Sequence, residues 1–227
     1  MADLIVTIDG PAGSGKSTVA RRLAEKLGAM FLDTGAMYRA VTLAAIRAGA
    51  DMDDEKQLLE IIRKSDFRFS AGRDKMAVYI NGENVTEQIR QPEITANVRH
   101  IASRALLRDE LVRMQRYFAA NYEKIVTEGR DQGTIVFEDA DVKFYLTADA
   151  RERARRRQAE LKENGNIESL EQIQKAIEQR DKSDENRSIG PLKPAPDAIV
   201  IDTTNLSLEQ VVEKVHHYVK EKCSKKS

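Results

Sequence analysis

The sequence predicts an α/β protein: a parallel sheet covered by helices on both faces, interrupted by a small antiparallel sheet and completed by a short pair of helices in the last third of the chain. Three observations carry this. Apolar runs near Leu4, Met30, Lys124, Val142 and Ala198 alternate with helix-compatible stretches, the pattern of strands buried on both faces. Between residues 66 and 85 the period changes, Phe67 and Phe69 alternating with polar residues, and an Asn-Gly pair follows. A glycine-rich segment joins the first apolar run directly to the first helical one.

Each element has a local reason. Leu4-Ile-Val-Thr-Ile8 reads as a buried strand and residues 19–27 as a helix. A short second strand, 29–33, ends in Asp33; Thr34-Gly35 then turns into a helix from 36 to about 48, and 54–64 forms the next. Phe67 and Phe69 alternate with polar residues, as in a half-buried strand. Ala77-Val-Tyr-Ile80 and Glu83-Asn-Val85 flank Asn81-Gly82, and a type I′ turn needs positive φ at both central residues. Helices resume at Pro92, the longer from about 104 to 121. Lys124-Ile-Val-Thr-Glu128 and Val142-Lys-Phe-Tyr-Leu-Thr147 are strands. Asp149, with Glu152 at capping-box spacing, opens a basic helix that Asn164-Gly165-Asn166 breaks; Ser169 with Gln172 caps the next. After an irregular, proline-rich 188–196 comes the strand Ala198-Ile-Val-Ile-Asp202. Ser207 with Gln210 caps a final helix to about Lys220, followed by a polar, frayed tail at 223–227. Met37 and Met114 are expected in the core, and His216 and His217 on the surface.

Composition excludes several classes. The 227 residues carry 37 Lys+Arg against 37 Asp+Glu, so no global charge points to nucleic acid or membrane as partner. Cys223 is the only cysteine, so an intrachain disulfide is impossible. The first apolar run has no basic region before it and ends at Asp9, too short for a signal peptide or a membrane span; a cytoplasmic location is expected.

The glycine-rich segment is Gly10, Pro11, Ala12, Gly13, Ser14, Gly15, Lys16, Ser17 and Thr18, a full G-x-x-x-x-G-K-[ST] match in strand–loop–helix context. Its glycines let several backbone N–H groups face one anion, and the helix N-terminus adds partial positive charge. Lys16 is placed to reach β- and γ-phosphates and Ser17 to ligate Mg²⁺. Ligands of such sheets bind beyond the carboxyl ends of the strands. Polar groups collect there in Asp9-Gly10, Asp33-Thr34, Glu128-Gly-Arg-Asp131 and Asp202-Thr203. The chain lacks the Asn-Lys-x-Asp motif of guanine recognition, which argues against a GTPase.

Four further motifs follow in order: Leu32-Asp-Thr-Gly-Ala-Met-Tyr-Arg39, Glu128-Gly-Arg-Asp-Gln-Gly-Thr134, a basic helix holding Arg153, Arg156 and Arg157, and Arg180-Asp-x-x-Asp-x-x-Arg187. With these the chain resembles bacterial cytidylate kinases of the P-loop nucleoside-monophosphate kinase group, over nearly its whole length. The resemblance implies a P-loop kinase core of about 1–33, 104–150 and 190–227, an acceptor-nucleotide domain of about 34–103 that holds the antiparallel sheet, and a helical lid of about 151–189. It implies transfer of the ATP γ-phosphoryl group to CMP or dCMP with Mg²⁺. The lack of an exposed heptad or long apolar edge leads us to expect a monomer, and the balanced charge and the lack of an apolar span lead us to expect no nucleic-acid or membrane partner.

Phosphoryl transfer brings two anions together in line, and guanidinium groups bind phosphate oxygens in bidentate fashion. By resemblance the catalytic group is Lys16, Arg130, Arg157 and Arg187, and the lid arginines Arg153, Arg156 and Arg157 join residues 10–18 on ATP. The acceptor nucleotide falls to Thr34, Tyr38, Arg39, Arg108, Gly129, Arg130, Asp131, Arg180, Asp184 and Arg187. Asp33 reads either as a partner of Mg²⁺ through water or as a helix N-cap. A carboxylate accepts from the 4-amino group of cytosine, where uracil has a carbonyl, so cytosine is favoured. Gln132, where the family carries an apolar residue, and Arg99, where it often carries a small hydroxyl residue, depart from the pattern and bear on base selection. Acceptors such as UMP, AMP or shikimate, and an RNA-binding module built on the basic helix, are the competing readings.

Overall fold

The computed structural model describes residues 2–70, 76–163, 165 and 167–224. In chain order the elements are β1 (Leu4–Asp9), α1 (Lys16–Leu27), β2 (Met30–Asp33), α2 (Thr34–Arg47), α3 (Glu55–Lys64), β3 (Phe67–Ser70), β4 (Ala77–Ile80), β5 (Glu83–Asn84), α4 (Pro92–Ala102), α5 (Ala105–Ala120), β6 (Lys124–Gly129), β7 (Val142–Thr147), α6 (Ala150–Glu163), α7 (Leu170–Glu185), β8 (Ile199–Asp202) and α8 (Leu208–Ser224). A 3₁₀ turn spans Gln88–Arg90 and a π-type turn Gln132–Val136. The main sheet has the order β2-β6-β1-β7-β8 and is flanked by helices; the smaller sheet has the order β3-β4-β5. Two compact units result, one built on Met30–Glu123, the other on Asp3–Ala29 and the chain from Lys124 onward.

In the second unit β1 pairs in parallel with β6 and β7, and β7 with β8. Val6, Ile8, Ile125, Val126, Phe144 and Leu146 are all buried. That double-sided burial explains the near-continuous apolar runs. α1 packs on β6 and α8, and α8 on β7. α6 and α7 pack on each other through Ala154, Ile173 and Ile177. The capping boxes at Ser169–Gln172 and Ser207–Gln210 are both formed.

In the first unit Asp54 caps α3 through the amides of Lys56 and Gln57. β3 pairs antiparallel with β4, Phe67 opposite Ile80 and Phe69 opposite Val78. Asn81 and Gly82 have φ of 51° and 84° between β4 and β5, as the hairpin signal requires.

Several expectations need correction. The 149/152 capping box is only half formed. Asp149 accepts from the Arg151 and Glu152 amides, but its own N–H goes to Thr204 Oγ1. Glu152 is drawn instead to Arg155 and Arg156, three and four residues on, because opposite charges at that spacing meet on a helix. α8 continues to Ser224 because Val215 and Val219 carry its apolar stripe inward, so Cys223 lies in the last turn and not in a frayed tail. Met114 is only half-buried, whereas Met37 is fully buried, and His216 is half-buried. Asn164 and Asn166 of the predicted helix break, residues 71–75 of the antiparallel insert and 225–227 of the tail lie outside the described residues.

No described helix is long and apolar enough to cross a membrane. The hairpin gives a first test. A Cβ at Gly82 meets nothing within 4 Å, so Gly82→Ala introduces backbone strain alone. Urea unfolding is expected to show a loss of about 1–2 kcal/mol.

Candidate active site

The site grows from the carboxyl end of β1. The chain leaves the sheet so close to β7 that a Cβ at Gly10 would lie 2.1 Å from the Leu146 carbonyl oxygen; only glycine fits. The loop then turns into the N-terminus of α1. Lys16 is 6% exposed; its Nζ donates to the Pro11 carbonyl at 3.1 Å and stands 4.0 Å from the Glu128 carboxylate. Burial pushes its ammonium down to about 7, the nearby Arg130 charge adds to the effect, and Glu128 opposes it. A buried lysine perturbed by desolvation at a glycine-rich loop is a candidate anion-binding group. Ser17, exposed at the loop, donates from Oγ to Glu128 Oε1 at 3.0 Å.

Glu128 lies one residue before the end of β6, and the chain beyond the strand is shaped by Asp9. The Asp9 carboxylate accepts from the Gln132 N–H at 2.9 Å and the Gly133 N–H at 2.8 Å. Those bonds fix the π-type turn, in which Val136 and Phe137 donate back five residues to Asp131 and Gln132. Such turns concentrate at functional sites. Gln132 is buried beneath the turn, its side-chain oxygen accepting from Thr127 Oγ1 at 3.0 Å and its chain packed over Gly129. The departure at this position is thus absorbed in the core beside β6.

Arg130 leaves the turn and meets α7. Its Nε donates to Asp184 Oδ2 at 2.8 Å, and Arg187 donates to Asp184 Oδ1 in a close ion pair. One buried carboxylate thereby holds two guanidinium groups. Asp131 is buried beside Arg130, and Arg180 is exposed on α7, near enough for its charge to act on Lys16.

The three arginines of the basic helix α6 part company. Arg153 is buried, bonded to the Ala148 and Ala12 carbonyls and ion-paired with Asp181. Arg156 donates to Thr203 Oγ1 at 3.0 Å and to the Thr203 carbonyl at 2.7 Å. Arg157 is exposed and pairs with Glu160 at 2.9 Å. The i, i+3 and i, i+4 spacing therefore does not bring their head groups together. Asp202 and Thr203 form a strand-end turn, with Asp202 bonded to Thr204 and the Thr203 amide to the Thr147 carbonyl.

In the other unit Asp33 caps α2, accepting from the Ala36 N–H at 2.8 Å. Its second oxygen faces Arg39 at 3.4 Å and Arg90 at 3.6 Å. Thr34 is buried in the first turn of α2. Arg108 is buried, donates to the Ala102 carbonyl at 3.3 Å and lies 6.0 Å from the Tyr38 ring centre. Arg99 is exposed, against the His100 ring.

Sequence reasoning left Asp9, Glu128, Arg90 and Asp181 out of the site. Asp9 and Glu128 carried a signal as polar groups at the carboxyl ends of parallel strands, and Asp181 stands within the Arg180–Arg187 motif; Arg90 carried none. Burial pushes the Asp9 carboxyl up from 3.8 to about 7, against the pull of its two N–H donors. Between those values the folded chain holds a proton that the unfolded chain has released. This contribution to stability is therefore full below pH 3.8 and is lost as pH rises through about 7. Asp9→Asn has no such titration, so the stability difference, wild type minus variant, is expected to decline across that window in denaturant unfolding at a series of pH values.

Comparison with known proteins agrees along the whole chain. A family model described as cytidylate kinase matches residues 6–221. A cytidylate kinase of Limosilactobacillus reuteri (strain DSM 20016) is 47% identical over 218 residues, 96% of this chain and 95% of that one. One from Shouchella clausii (strain KSM-K16) is 47% identical over 216 residues, 95% of this chain and 96% of its own. Among solved structures, a gluconokinase from Sinorhizobium meliloti 1021 superposes with a TM-score of 0.50 at 13% identity, over 99% of this chain and 98% of that one, a likeness of fold alone. On the full-length family match and these identities, with the five ordered motifs, the chain belongs to the cytidylate kinase family.

Proposed function

We infer that the protein transfers the γ-phosphoryl group of ATP to CMP or dCMP, giving ADP and CDP or dCDP. The observation that carries this reading is the arrangement in one unit of a phosphate loop with a charge-starved Lys16 and the Arg130–Asp184–Arg187 fork. A donor triphosphate belongs on the loop and an acceptor monophosphate on the fork.

The chemistry asks little beyond placement. An oxygen of the acceptor phosphate, already anionic, attacks the γ-phosphorus, and the bond to the β–γ bridging oxygen breaks in line with it. Charge leaves with ADP, so no general base is required; positioning and charge stabilisation carry the step. Lys16 and the loop amides face the donor. Arg130 and Arg187 present N–H groups to the acceptor phosphate and the moving group. Asp184 keeps the two guanidinium groups together against their mutual repulsion. Asp131 and Arg180 are assigned to the acceptor nucleoside, and so, on the family resemblance, are Thr34, Tyr38, Arg39 and Arg108.

Ser17 and Glu128 are the residues that fit Mg²⁺. Both offer oxygen, the donor type this cation selects, and their oxygens lie 3.0 Å apart. Among the described residues no group of three or more His, Cys, Asp or Glu is poised to hold a metal. That suits an ion held by one or two side chains together with substrate phosphates. When bound, it neutralises charge on the β- and γ-phosphate oxygens. Asp33 Oδ1 caps α2, and a contact with Mg²⁺ through water is the second role assigned to this residue. We read the chain as a cytoplasmic enzyme that acts as a monomer, with α6 and α7 closing over the nucleotides to exclude water as a competing acceptor.

Three measurements test this. ADP formation from ATP·Mg²⁺ is expected to rise strongly with CMP or dCMP and little with UMP or AMP; preference for either of the latter overturns the acceptor. Lys16→Ala is expected to abolish turnover in a protein with an unchanged circular-dichroism spectrum. Arg187→Ala is expected to lose about tenfold or more in kcat/KM for CMP while ATP binding persists, since one charge-assisted bond to phosphate is worth about 1.5–3 kcal/mol.

A further inference from the structure

We propose that Asp181 and Arg153 form a two-sided clamp on the phosphate loop, and that Asp181 is thereby a positioning residue for ATP. Asp181 Oδ1 accepts from the Ala12 N–H at 3.1 Å. Arg153 Nη1 donates to the Ala12 carbonyl at 3.0 Å, and its Nε to the Ala148 carbonyl at 2.9 Å. The two side chains close the ring through an ion pair, and both residues are 7% exposed. Both peptide groups of one loop residue are thus gripped by a single buried pair. The next residue is pressed on the same helix: a Cβ at Gly13 would lie 3.0 Å from the Arg153 carbonyl oxygen and 3.1 Å from Arg153 Cβ, and its φ is +74°.

Stability alone is a poor account of this arrangement. Desolvating a carboxylate and a guanidinium offsets most of their attraction, and apolar pairs of similar volume often serve folding as well. What the pair does is directional. A phosphate loop works only while its amides aim at the anion, and a carbonyl that rotated into the loop would repel phosphate oxygens. Arg153 holds the Ala12 carbonyl fast, and Asp181 stops the preceding peptide from turning. Asp181 also lies on α7 next to Arg180 and three residues before Asp184. The clamp therefore ties the donor loop to the helix that bears the acceptor fork. This inference rests on reading Gly10–Thr18 as the donor loop.

Asp181→Ala removes both bonds; Asp181→Asn keeps an oxygen for the Ala12 N–H but not the charge facing Arg153. At a temperature where each variant is fully folded, the KM for ATP and the dissociation constant of a fluorescent ATP analogue are expected to rise about tenfold in Asp181→Ala and about threefold in Asp181→Asn, with the KM for CMP within about twofold of wild type. Adding Arg153→Met to Asp181→Ala is expected to cost little more, because the two residues act as a unit. An ATP KM within about twofold of wild type in folded Asp181→Ala, or equal rises in both KM values, overturns the clamp. If Asp181→Ala does not fold, Asp181→Asn is read by the same criterion against its threefold expectation. Lys16→Ala separates the two levels: retained turnover there removes the donor loop itself, whereas a dead Lys16→Ala beside a normal Asp181→Ala removes only the clamp.

Discussion

Like charges crowd the carboxyl edge of the parallel sheet, and the rest of the structure is organised around holding them there. Lys16, Arg130 and Arg187 are drawn to one unit, Lys16 under enough burial to bring its ammonium to about 7. Carboxylates are set between them. Glu128 stands beside Lys16, and Asp184 stands between Arg130 and Arg187. Both carboxylates are buried and line elements fixed by packing, so the cations keep their places. On the proposed function, a triphosphate beside Lys16 and a monophosphate beside Arg130 and Arg187 complete that pattern of charge.

The backbone that carries these groups is controlled by buried polar contacts behind the site. The two bonds from the Gln132 and Gly133 amides to Asp9 set the turn that follows Arg130 and Asp131. Gln132 extends that support by bonding Thr127 on β6. Asp181 and Arg153 do the same for the phosphate loop from the side of α6 and α7. The arginines of α6 therefore contribute differently along its length. Arg153 is committed to the loop and Arg156 to the turn after β8, whereas Arg157 lies at the surface.

Local patterns made much of this legible. The phosphate loop, the Asn81-Gly82 hairpin and the capping boxes at Ser169 and Ser207 depend on residues within a few positions of one another, so their chemistry is visible in the sequence. The same holds for the alternation of buried strands with helices, because a sheet covered on both faces leaves no polar period to confuse with anything else. Where local pattern misled, a competing partner came from elsewhere: Thr204 took the Asp149 amide that the capping-box spacing assigned to Glu152.

By itself the sequence determined the α/β class, the anion-binding loop and the family, because each is written in short-range spacing and in motif order. Only the tertiary structure decided which charges meet. Arg130 and Asp184 are 54 positions apart, Ser17 and Glu128 are 111, and Ala12 and Asp181 are 169. No periodicity spans such distances. The pairings arise because parallel strands deliver their carboxyl ends to one edge, and because burial there leaves each charge no stable alternative to the partner that the fold supplies.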